Sequence, residues 1–119
     1  MHDATDDRLP GTFQEFCRRF PELGRLHQAA GEALKRAGPL DARTCELVKV
    51  GMCVGAGLES ALRSHVRRAM ANGASEAEVE HAILLGMTTC GFPATARAWS
   101  WAQVQFQRER ADAAKGSST

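Results

Sequence analysis

Residues 59–83 read ESALRSHVRRAMANGASEAEVEHAI, and this stretch decides the fold. Leu62, His65, Val66, Ala69 and Met70 recur at three- and four-residue spacings, which lines one face of a helix and turns Arg63, Arg67 and Arg68 outward. Asn72-Gly73 stops that helix, because glycine enters the left-handed conformation in which helices end. Ser75, with Glu78 three residues on, forms a capping box that opens another helix. Val79, Ile83, Gly86, Met87 and Cys90 continue its apolar face, so the stretch is helix, turn and helix.

The same pattern extends in both directions. Upstream, Asp41 caps a helix that runs to about Gly57 and carries Leu47, Val48, Val50, Met52, Cys53 and Val54. Apolar residues on more than one side of it predict a central, buried helix. Gly55–Leu58 is a break. Before it, Pro21 opens a helix with Leu23, Leu26, His27, Ala30, Leu34 and Ala37 on one stripe, ended by Gly38-Pro39. The first helix follows Pro10-Gly11, with Thr12 as its cap, Glu15 completing a capping box, and Phe13, Phe16, Cys17 and Phe20 at helical spacing. Downstream, Gly91-Phe92-Pro93 starts a last helix to roughly Ala113. It has Trp99, Ala102 and Phe106 on one face and Ala94, Trp101 and Val104 on others. Such a helix is either deeply buried or part of a subunit interface.

The chain has no tyrosine, few β-branched residues and no long alternating run, whereas alanine, leucine, arginine and glutamate, all helix formers, dominate. The expected fold is all-α, about six helices in a compact bundle. Its 119 residues suit one domain. The expected organisation is a flexible arm over 1–10, a helical domain over 11–114 and a disordered tail over 115–119.

Net charge is +1, with acids and bases interleaved and no run of like charges. That balance argues against nucleic-acid and membrane-surface partners. The polar, acidic N-terminus has no apolar signal core, and the apolar windows are too short for a membrane span, so a cytoplasmic location is expected. Cysteines 17, 45, 53 and 90 form no Cys-x-x-Cys pair and fit neither a disulfide framework nor a zinc site. Gly55-Ala56-Gly57 lacks the strand and the Lys-Ser/Thr of a phosphate-binding loop. No cofactor or metal is therefore expected.

Chemistry centres on Glu46 and His65, two ionisable residues on apolar stretches where burial is costly unless they are paired or used. An apolar setting would raise the pKa of Glu46 toward neutrality and suit it to acid–base work. Otherwise Glu46 is a solvated residue or an ion-pair partner of Lys49 or Arg43. His65 is either a proton carrier or a core histidine bonded to a backbone carbonyl. Cys53, seven residues after Glu46, projects from the same helix face and is either an activated thiol or a small apolar residue. Cys90 is a weaker thiol candidate. Cys17 and Cys45 read as packing residues, and His27 and His81 as edge and surface residues.

Taken together, Arg43-Thr44-Cys45-Glu46-Leu47-Val48, His65-Val66-Arg67-Arg68-Ala69, the run Asn72–Val79 and Gly91-Phe92-Pro93-Ala94 resemble the carboxymuconolactone decarboxylase family. The wider superfamily also holds the alkylhydroperoxidase D-type proteins. The resemblance covers about residues 41–100. It implies an all-helical subunit of the alkylhydroperoxidase D-like type that assembles as a homotrimer or homohexamer.

The peroxidase branch of that superfamily carries a glutamate, a Cys-x-x-Cys pair and a histidine four residues later. Glu46 and His65 match the first and last, but the cysteine positions hold Leu58 and Ala61, so the redox pair is missing. The decarboxylase branch also lacks it, and this chain resembles that branch better, although Thr89 stands where an aromatic is expected. The resemblance implies cofactor-independent decarboxylation of a carboxylated lactone or related small acid, with His65 and Glu46 as the acid–base pair. Arg43 or a helix N-terminus would hold the substrate's anionic group. The alternatives are a single-cysteine thiol peroxidase or oxidoreductase using Cys53, and a non-catalytic oligomeric scaffold or binding protein.

Overall fold

The computed structural model describes residues 11–117, and they are helical with no strand among them. They divide into two compact units, one ending at Ala42 and one beginning at Arg43. The expected arm over 1–10 lies outside the described residues.

The first unit contains α1 (Gly11–Arg19) and α2 (Pro21–Lys35). Thr12 lies inside α1 rather than capping it, and Glu15 pairs with Arg18. Proline at the first turn of α2 sacrifices an N–H that has no helical partner there. Phe13 meets His27 edge-on with ring centroids 5.7 Å apart, and the Cys17 thiol lies against Gly24 so closely that a β-carbon there would sit 2.8 Å from the sulfur. Phe16, Phe20, Leu23, Leu26 and Leu34 are exposed, although their spacing marks a core stripe. Two helices offer each other only one face, and the contacts of Phe13, Cys17, Gly24 and His27 fall on it.

The second unit contains α3 (Ala42–Ala56), α4 (Glu59–Ala71), α5 (Glu76–Leu84), a 3-10 turn (Leu85–Thr88) and α6 (Phe92–Ser117). Val50, Cys53 and Val54 from α3, Leu62, Val66 and Ala69 from α4, Val79 and Ile83 from α5, and Ala98, Ala102 and Phe106 from α6 form its core. The helix α3 is buried along one side only. Val48 and Met52, on its other apolar side, are exposed, so the expectation of a fully buried helix is corrected. Conversely, α4 is covered beyond a single stripe: Arg67, expected to face outward, is buried, and its guanidinium donates to Ser64 Oγ at 3.2 Å.

The connections follow the expected chemistry. Gly57 takes φ +70 and lets the chain turn from α3 into α4. Gly73 takes φ +100, and its N–H and that of Ala74 donate to the carbonyls of Met70 and Ala69, a Schellman ending for α4. Ser75 Oγ accepts the Glu78 N–H at 3.0 Å, and the Ser75 N–H donates to Glu78 Oε1 at 2.9 Å. Ser75→Ala removes the cap acceptor and is expected to lower stability by about 1 kcal/mol in urea titration, whereas an unchanged midpoint would show the box to be ornamental.

The helix α5 is shorter than its apolar pattern. The chain tightens into the 3-10 turn after Leu84, leaving Met87 and Cys90 exposed. The buried face of α6 is Thr95, Ala98, Ala102, Gln105 and Phe106. Trp99, expected beside Ala102 and Phe106, sits at the edge of that face, half-exposed, and its Nε1–H donates to Glu80 Oε2 at 2.8 Å. A bulky ring with a polar N–H suits an edge where the N–H finds a carboxylate. Gln105 ties α4 to α6: it accepts from Arg63 Nε at 3.5 Å and donates to Glu109 at 2.7 Å. Residues 115–117, expected in a disordered tail, continue α6, and 118–119 lie outside the described residues. No described helix is long and apolar enough to cross a membrane.

Candidate active site

The turn at Gly57–Leu58 returns the chain so that α4 brings His65 to Glu46 on α3. Glu46 lies about 16 Å of helix before the turn and His65 about 12 Å after it, at 1.5 Å per residue. Glu46 Oε1 and His65 Nδ1 are 2.7 Å apart. Glu46 is 3% exposed, and the His65 side chain retains 18% of its surface. The carboxylate is therefore enclosed, and the imidazole keeps part of its surface in solvent.

The electrostatics reverse one expectation. Burial is the largest single influence on Glu46 and pushes its pKa up. The His65 hydrogen bond, with the charges of His65, Lys49 and Arg68, outweighs it and leaves the carboxyl below its ordinary value. Glu46 is held ionised, not moved toward neutrality. An ionised carboxylate only accepts, so Nδ1 carries the proton and Nε2 is the basic nitrogen. The sequence pattern offered Lys49 as an ion-pair partner of Glu46 but did not single out Arg68 as part of the site. The available signal was position, since each lies three residues after one member of the pair.

The sign of this shift sets a pH dependence. A carboxyl whose folded pKa lies below its ordinary value of 4.5 contributes stability that is present above that value and lost as pH falls through the folded one. Glu46→Gln should therefore flatten the acid limb of stability below about pH 4.5 in urea titrations. Identical acid limbs in the two proteins would contradict the lowered pKa.

Cys53 lies two turns beyond Glu46 on α3, buried at 4% exposure, and desolvation raises its thiol pKa. That favours the protonated, unreactive form. Cys90 is exposed and borders Gly55 near the end of α3. Cys17 and Cys45 are half-buried. Leu58, one of the two residues where a peroxidase would hold cysteines, caps α4 and is exposed, while Ala61 packs against the core one turn before His65. Arg43 is 3.6 Å from Glu78 in an exposed pair. Among the described residues no three His, Cys, Asp or Glu side chains converge as a metal-ligand group.

A buried carboxylate that orients an imidazole and leaves Nε2 basic can accept a proton, stabilise the imidazolium and return the proton to a carbon or oxygen. Comparison with known proteins agrees with the framework carrying this pair. The sequence pattern of the carboxymuconolactone decarboxylase family matches residues 21–104, which extends the expected 41–100 back to the start of α2. A crystal structure of a Thermotoga maritima protein shares the fold with a TM-score of 0.62 at 24% identity, over 85% of this chain and 98% of that one. No curated protein matches the chain.

Proposed function

Since the chain belongs to the carboxymuconolactone decarboxylase family, we propose that it is a cofactor-independent decarboxylase of a carboxylated lactone or a related small acid. The observation that carries this reading is the 2.7 Å contact between buried Glu46 and partly buried His65. Breaking the bond to carboxylate releases carbon dioxide and leaves its electron pair on carbon, delocalised into a conjugated carbonyl of the substrate. His65, as the imidazolium, delivers its Nε2 proton to that carbon, and the neutral ring takes a proton from water for the next cycle. Glu46 fixes the ring through Nδ1 and stabilises its positive charge.

Burial of Cys53 counts against the thiol-enzyme alternative. Assembly into a homo-oligomer is part of the proposal. The exposed apolar side chains of Leu84, Leu85, Met87 and Phe92 around the 3-10 turn support it. The test is carbon dioxide release from a panel of carboxylated lactones without added metal or cofactor, by native protein and by His65→Asn. Release by the native protein that the variant lacks supports the reading. Equal rates, or no release from any lactone, would refute it.

A further inference from the structure

We propose that Lys49 and Arg68 form an anion-binding flank beside the Glu46–His65 pair and anchor a carboxylate of the ligand. This rests on the same site as the proposed decarboxylation but concerns binding, and it stands or falls separately from the chemistry.

The two cations are placed by the pair itself. Lys49 follows Glu46 by three residues on α3, and Arg68 follows His65 by three on α4, so each lies one helical turn from a residue whose side chain is fixed by the 2.7 Å contact. Both side chains are half-buried. Both are near enough to Glu46 for their charges to act on its carboxylate. Neither forms an ion pair with any described residue, whereas Arg43, Arg63 and Arg110 are paired with Glu78, Glu59 and Glu76.

The carboxylate on which both act is already used. Glu46 is buried and hydrogen-bonded to His65, and its single negative charge is shared by two cations. That leaves a local excess of positive charge beside an imidazole whose Nε2 has no partner among the described residues. Half-buried lysine and arginine without an ion-pair partner are unusual, because burial of a charge is costly unless it is paired or used. An anion of carboxylate size would complete the balance, and arginine offers it a two-pronged donor while lysine offers a point charge. Arg43, the cation that the sequence pattern nominates for this task, is occupied by Glu78 at the start of α5.

The probe is succinate, titrated into the full chain at fixed pH and ionic strength while NMR follows the ring resonances of His65. Saturable movement of the His65 signals is expected with succinate, and none with chloride at equal ionic strength. Lys49→Met and Arg68→Met should each weaken succinate binding about tenfold, with Arg68→Lys in between, and the dimethyl ester of succinate should not bind. Unchanged helical circular dichroism shows that each variant is folded. Two results would overturn the proposal: succinate that leaves His65 unmoved in the native protein, or succinate that binds the Lys49→Met/Arg68→Met double variant as tightly as the native chain. Succinate binding without lactone turnover would keep the anchor and remove the decarboxylase reading. Lactone turnover unaffected by either substitution would do the reverse.

Discussion

Replacing His65 with asparagine is expected to lower turnover of a carboxylated lactone about 10²- to 10⁴-fold without unfolding the protein. That range corresponds to about 3–5 kcal/mol of lost transition-state stabilisation. Asparagine separates the two roles of the imidazole. Its amide nitrogen stands as many bonds from the main chain as Nδ1 and can still donate to Glu46, so the buried carboxylate keeps a partner. What is lost is Nε2, the nitrogen that moves the proton. Helical circular dichroism should match that of the native chain while kcat collapses. A variant that folds and turns over normally would remove His65 from the mechanism. Glu46→Gln is the companion, because it retains a hydrogen-bonding group but removes the charge that holds Nδ1 protonated and stabilises the imidazolium.

The largest effect on stability is expected at Phe106, the largest side chain buried completely, in the middle of α6. Phe106→Ala removes a ring from the core that α6 shares with α3, α4 and α5 and should cost about 3–5 kcal/mol. Domains of this kind hold about 5–15 kcal/mol in total, so the variant should unfold at a much lower urea concentration. Trp99→Ala is the internal comparison. Trp99 has a larger side chain than Phe106, but it is half-exposed and makes one hydrogen bond to Glu80, so its loss should cost less. A Phe106→Ala midpoint close to native, or a costlier Trp99→Ala, would mean that the core is not organised around α6 as described.

These two residues show why some features were legible in the chain and others were not. The Asn72-Gly73 stop and the Ser75–Glu78 capping box rest on contacts within a few residues, and both stand where the sequence places them. Apolar spacing located the helices but not which flank of each is covered. Trp99 and Phe106 lie on nearly the same line of α6, yet only Phe106 is enclosed. Arg67 has the composition of a surface residue and is buried, while Met52 has that of a core residue and is exposed. The ends of α5 and α6 also departed from the pattern, because a helix stops or continues according to what it packs against, as the 3-10 turn after Leu84 illustrates.

The candidate site divides in the same way. Glu46 and His65 could be singled out from the chain because charge on an apolar stripe is costly wherever the stripe goes. Their 2.7 Å contact, and the lowered pKa of Glu46 in place of a raised one, depend on two helices meeting. The same holds for Cys53, whose position on the Glu46 face was readable but whose burial was not. By itself the sequence determined the all-helical class, the main turns and the identity of the two titratable residues, because each rests on local geometry or on residue type, while the family resemblance placed the missing cysteine pair at Leu58 and Ala61. Only the tertiary structure decided which faces are buried, that the pKa of Glu46 is lowered, and that Arg68 on α4 acts on it as Lys49 on its own helix does, because burial and electrostatics between α3 and α4 depend on distances across helices that no spacing along one helix encodes.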